Sequence, residues 1–175
     1  MRWILLLCLL TACSQTYQVD TDPYNLPAVG TRVVLKKPVT IEPGTTRLFL
    51  QQGEPMVLSE FDRYKPNCNF EISDLSAVAQ VIEPDGFLVI KVERLMVEVV
   101  RRRDVVTGLL PVGMDGQGTP MVTRGIHLWF DSDRKADVMR LTCRGAFGDM
   151  WEARPPSIEE IRAALGEYAE LVVAI

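Results

Sequence analysis

The chain carries a single histidine and four cysteines, and these few residues bound the chemistry open to it. His127 stands in Gly125-Ile126-His127-Leu128-Trp129-Phe130. Zinc sites built on two or three histidines cannot be assembled, and any Ser-His-Asp or Cys-His arrangement must use this one residue. No G-x-S-x-G elbow accompanies it. In a strand, His127 is opposite in phase to Ile126, Leu128 and Phe130 and shares a face with Thr123 and Trp129. That predicts a partly wetted structural histidine and no catalytic residue. Asp131-Ser132-Asp133 places two carboxylates at i and i+2, as a calcium loop begins. The loop would want glycine where Ala136 stands and glutamate where Thr142 stands, so a solvated turn and no metal are expected. Gly113-Met114-Asp115-Gly116-Gln117-Gly118 lacks the strand-then-helix setting and the closing lysine of a phosphate loop. It reads as a flexible connection, and no cofactor is expected.

Residues suited to contact are easier to find. Arg101-Arg102-Arg103 is a cation cluster that could meet lipid or lipopolysaccharide phosphates, although Asp104 follows at once. Aromatic residues and arginine dominate interface energies, so Trp129, Trp151, Arg101, Arg102 and Arg103 form the candidate interaction surface. The formal net charge of -4 argues against nucleic acid as a partner.

Location is written in the first residues. Arg2 precedes an apolar run from Trp3 to Leu10, and Leu10-Thr11-Ala12-Cys13 follows. The run is shorter than the roughly 20 residues of a transmembrane helix and reads as a signal peptide, residues 1–12. The tetrapeptide LTAC resembles the lipobox of bacterial lipoproteins. That resemblance implies cleavage before Cys13 and three acyl chains on the new terminus. At roughly 0.8 kcal/mol per buried methylene, such an anchor is nearly permanent. Ser14, in place of aspartate, points by the same resemblance to the inner leaflet of the outer membrane, facing the periplasm. An ordinary signal peptide cut elsewhere is the alternative. Losing Arg2 brings the charge to about -5 for the mature chain.

With Cys8 removed and Cys13 acylated, Cys68 and Cys143 remain in an oxidising compartment, which suggests one disulfide. Cys68 shares a strand face with Phe70 and Ile72, and Cys143 shares one with Met139 and Leu141. Both thiols should point inward. Two buried, unpaired thiols remain the other reading. A bridge closing a loop of about 75 residues would contribute roughly 4 kcal/mol on the entropic account.

The elements that must position these residues are mostly strands. Residues 13–30 read as a flexible tether reaching roughly 20 to 25 Å, and a single domain is expected over 31–175. Val33, Leu35, Val39 and Ile41 alternate, Glu42-Pro43-Gly44-Thr45 is a turn, and Arg47 to Gln51 returns, which predicts a hairpin. Further strands are expected at 67–72, 78–82, 87–100, 119–130 and 137–144. In the longest, the phase changes after Val92, which predicts a bulge or bend at Glu93-Arg94. Beyond Pro155-Pro156, Ser157 and Glu160 form a capping box, and Ile158, Ile161, Leu165, Tyr168 and Val172 recur on one helical face. The expected fold is therefore mainly β, an antiparallel sandwich or barrel capped by one amphipathic helix over 158–172.

The segments Phe49-Leu50-Gln51-Gln52-Gly53, Tyr64 to Glu71, Val138 to Phe147 and Pro155 to Gly166 together resemble an uncharacterised family of small proteobacterial envelope proteins. The resemblance covers about residues 32–166. It implies a shared fold and a paired Cys68 and Cys143, and it carries no activity across. The function expected is a non-enzymatic binding or assembly accessory in the cell envelope, held to the membrane by its lipid and contacting an envelope protein. The alternative is a small-ligand or lipid carrier, or an envelope hydrolase.

Overall fold

The computed structural model describes residues 24–100, 120–131 and 138–174. Its elements are β1 (Arg32–Leu35), β2 (Val39–Ile41), β3 (Arg47–Gln51), β4 (Glu54–Met56), β5 (Asn67–Ile72), β6 (Gln80–Ile82), β7 (Gly86–Val100), β8 (Met121–Phe130), β9 (Val138–Arg144), β10 (Gly148–Asp149), α1 (Ile158–Leu165) and β11 (Ala169–Val172). The protein is mainly β, as the alternating pattern predicts. One curled antiparallel sheet runs in the order β11-β1-β7-β8-β9-β5-β3-β4, β10 joins β8, and β2 with β6 forms a separate ribbon.

One face of the sheet is closed by apolar packing. Leu50, Phe70, Ile126, Leu128 and Leu141 from β3, β5, β8 and β9 are fully buried with Ile161 and Leu165 of α1 and Val33 and Leu171 of the outer strands. Each such side chain contributes about 1.5–3 kcal/mol by leaving water. Helix α1 lies against β3, β5 and β11. Its start is the expected capping box, in which the Ser157 side chain accepts from the Glu160 amide and the Glu160 carboxylate accepts from Ser157.

Several local expectations are corrected. The turn at residues 42–45 forms, with the Thr45 amide donating to the Glu42 carbonyl at 3.2 Å, but the hairpin does not. Residues 33–41 divide into β1 and β2 around Pro38, which has no amide proton, while the amides of Lys36 and Lys37 donate to the Tyr168 carbonyl. Strand β2 then pairs with β6, and β3 pairs with β4 and β5. The β3–β4 hairpin turns through Gln52 and Gly53, both at positive φ, as a two-residue turn of primed type demands. Pro55 is tolerated because β4 is the sheet's edge.

The helix stops at Leu165, and residues 169–172 are a strand and not its continuation. Gly166 breaks the helix at φ 54°, and a Cβ there would lie 2.3 Å from the Gly53 Cα. The close approach of the β3–β4 turn therefore requires glycine and ends the helix at the same point. Ala169 and Leu171 face the core, and Glu170 and Val172 face out. In β7, Glu93 and Arg94 pair regularly with His127 and Ile126; the register shifts fall between Val89 and Lys91 and between Glu98 and Val100. Phe87 stacks on Phe130 at 4.9 Å, so Phe87 and Val89 take the inner face and the phase must change just beyond them. The domain also begins before residue 31. Pro27 is buried, Leu26 packs on the core, and the Gly30 amide donates to the Val89 carbonyl.

Candidate binding face and pocket

The second face of the sheet is organised by the disulfide. Cys68 and Cys143 are bonded across β5 and β9, directly opposed, with Cα atoms 4.0 Å apart. Both are fully buried on the core side. Alternation sends their neighbours to the other side, where Asn67 faces Arg144, Asn69 faces Thr142 and Glu71 faces Arg140. Strands β7, β8 and β3 extend each pair into a row across the sheet.

The first row runs Lys91, Trp129, Arg140, Glu71, Arg47. Glu71, with its side chain 8% exposed, accepts from Arg140 Nε at 2.7 Å and from Arg47 Nη2 at 2.8 Å. Burial pushes its carboxyl up, and these two hydrogen bonds more than offset that, holding it below the ordinary glutamate range. The Arg140 guanidinium also lies 4.6 Å from the centre of the Trp129 ring, and the Lys91 ammonium lies 5.8 Å from it. The indole of Trp129 donates to Glu93 Oε2 at 2.6 Å. Glu93, hydrogen-bonded by Lys91 and then by Trp129, is likewise held low. Every charge of this row has an opposite partner or an aromatic face.

The second row is Glu93, His127, Thr142, Asn69, Phe49. His127 lies where its phase predicts, half-buried, with Nδ1 2.7 Å from Thr142 Oγ1 and its ring edge-on to Trp129. Burial, then Arg140 and Arg144, lowers its pKa, so the imidazole is neutral at neutral pH. The Thr142 hydroxyl beside it is the nearest nucleophile, and Thr142 is 1% exposed. A hydroxyl so enclosed offers no approach to a substrate.

The third row is Leu95, Gly125, Arg144, Asn67. Here the segment 57–66 folds over the sheet. The buried side chain of Gln51 holds it, donating to the Asp62 carbonyl at 2.7 Å and accepting from the Asp62 amide at 2.8 Å. Phe61 stacks on Phe49 with centroids 5.1 Å apart, and Tyr64 meets Phe147 edge-on. The cover is incomplete. Between it and the sheet lies a pocket of about 230 Å³ lined by Asn67, Thr123 and Arg144 below and Phe61, Arg63 and Phe147 around. Gly125 is obligatory beneath it, because a Cβ there would lie 2.3 Å from the Cys143 carbonyl oxygen. Desolvation, reinforced by Arg47 and Arg140, lowers the pKa of Arg144, with only Glu71 opposing.

Of the expected surface residues, Trp129 belongs to this face. Trp151 does not join it. Trp151 is 69% exposed beyond β10, which pairs with Met121 and Val122 at the start of β8; Trp129 stands eight residues further along that strand, roughly 26 Å at the usual rise. Cys13, Arg101, Arg102, Arg103, the loop 113–118, Ser132 and Asp133 lie outside the described residues. Asp131 is described, and its amide donates to the Leu88 carbonyl. Among the described residues, no three His, Cys, Asp or Glu side chains gather as a metal site would require, and no helix is long and apolar enough to cross a membrane. The residues that sequence reading missed are Arg47, Asn67, Glu71, Arg140 and Arg144. Their signal was the polar phase of the two cysteine strands. Compared with protein-family models, with characterised proteins and with solved structures, the chain matches none.

Proposed function

We propose that this chain is a lipoprotein of the outer membrane, anchored through Cys13 in the inner leaflet, whose periplasmic β domain acts as a non-enzymatic binding or assembly accessory. One observation carries the binding reading. On a protein of net charge -4, the polar sheet face bears, among the described residues, Arg47, Lys91, Arg140 and Arg144 against Glu71 and Glu93, with Glu54 at its β4 edge. A positive face on an acidic body orients an acidic partner and favours its approach. The Trp129 ring among those cations supplies the aromatic contact area that interfaces use. The lipobox resemblance supports the anchor, and a formed disulfide suits an oxidising compartment.

Crosslinking in intact cells that express the tagged protein tests this. One stoichiometric envelope protein should be recovered, and it should be lost with Cys13→Ala, which releases the domain without unfolding it. Recovery of the protein alone, or full activity of the released form, contradicts the reading.

A further inference from the structure

We propose that the pocket floored by Asn67 and Arg144 and walled by Phe61 and Phe147 receives the free carboxylate at the C-terminus of a peptide whose last residue is apolar. This rests on the reading of the domain as a binding module and is independent of its lipid anchor.

Three features select that ligand. Among the described residues, the Arg144 guanidinium has neither a hydrogen bond nor an ion pair, while Glu71, four residues along the facing strand from Asn67, is already held by Arg47 and Arg140. A half-buried guanidinium without a carboxylate presents a planar fork that matches one. Asn67 is 3% exposed, and its Oδ1 has no donor. It lines the pocket opposite Arg144 on the neighbouring strand, its Nδ2 already donating to the Lys65 carbonyl at 3.4 Å, so a ligand whose acid meets Arg144 is favoured if it also carries a donor for Asn67. A terminal peptide residue does this, since its own amide N–H lies next to its carboxylate. Phosphomonoester dianions and ionised fatty acids bring acceptors alone and leave Asn67 unsatisfied. Finally, the pocket holds about 230 Å³, below the roughly 300–1,000 Å³ of drug-sized sites. One residue fits between the two phenylalanine rings and Val97, and the chain before it must remain outside the pocket.

The test uses the full-length protein in detergent and fluorescein-labelled Gly-Gly-Ala-Phe, read by anisotropy. Saturable binding is expected for the free acid, and the C-terminal amide should bind at least about tenfold more weakly, as loss of a charge-paired anion entails. Arg144→Met should weaken the acid by a similar factor without lowering the thermal midpoint, and Arg144→Lys should fall between. The acid-against-amide comparison needs no variant, so a misfolded Arg144→Met would not blunt the test. Absence of saturable binding, equal binding of acid and amide, or displacement of the peptide by laurate at equal concentration overturns the proposal. If a crosslinked envelope partner is captured equally by wild type and a folded Arg144→Met, the pocket proposal fails and the docking reading stands. Acid-specific peptide binding with no partner in cells has the reverse meaning.

Discussion

The two ends of the polar face differ in how their charges are settled. At one end, Glu71 lies between Arg140 and Arg47, and Trp129 and Glu93 absorb what remains of Arg140 and Lys91. At the other end, a few residues along the same two strands, Arg144 is half-buried with no carboxylate partner, and the buried Asn67 donates to the Lys65 carbonyl while its Oδ1 has no donor. The strands, the disulfide and the pleat are common to both. What differs is whether the ion is answered from within the chain. A matched buried ion pair is a structural element, since removing one member strands the other. An unmatched cation under an aromatic cover adds no ion pair to the fold, and that is the ground on which the pocket is proposed as a binding site.

That contrast can be broken or sharpened in order of expected effect. Both ends share the disulfide, so replacing Cys68 and Cys143 by alanine should lower unfolding stability by about 2–5 kcal/mol, measured in urea without reductant. A loss near zero would mean the strands are held by packing alone. Glu71→Ala leaves two arginines facing one another at the matched end and should cost about 2–4 kcal/mol, less than a fully buried pair because Arg47 is partly exposed. Gly125→Ala attacks the other end by forcing β8 away from the Cys143 carbonyl; a loss of about 1–3 kcal/mol is expected, together with weaker binding of the acidic probe peptide. An unchanged midpoint would show that β9 has room to yield.

Two pH effects are smaller. The folded-state pKa of Glu71 is depressed, so its contribution is present above the unfolded value near 4.5 and is lost as pH falls through the folded value. Below about pH 4.5 the wild type should therefore lose stability more steeply than Glu71→Gln. His127 is also depressed, from 6.5, so the folded state resists its protonation. Stability should decline as pH falls below about 6.5, and His127→Gln should flatten that decline. Parallel profiles of variant and wild type would remove the histidine from the account.

Much of this was legible in the residues, and one further step would have shown more. Alternation located β5 and β9 almost to the residue, placed His127 on the outer face and turned both cysteines inward. Had Cys68 and Cys143 been taken as directly opposed, antiparallel counting alone would have set Asn67 against Arg144 and Glu71 against Arg140. The burial of those polar residues was not legible. It comes from residues 57–66, held by the side chain of Gln51, and an amide reaching across a loop leaves no period in a sequence. The misplaced helix end has the same origin, because Gly166 is dictated by the distant Gly53. Helical spacing continued through Tyr168 and Val172 by coincidence, while Ala169 and Leu171 carried the competing period of two. The false hairpin likewise followed chain order where β2 and β3 choose partners far away.

The most direct test of the contrast between the two ends is equilibrium urea unfolding of Arg144→Met beside Glu71→Ala at neutral pH. The account predicts that Glu71→Ala lowers the midpoint and that Arg144→Met leaves it unchanged or raises it, because methionine fills the same space without an unanswered charge. A fall in Arg144→Met as large as that in Glu71→Ala would show that Arg144 is part of the fold's own ionic framework and would contradict the assignment of that end to binding.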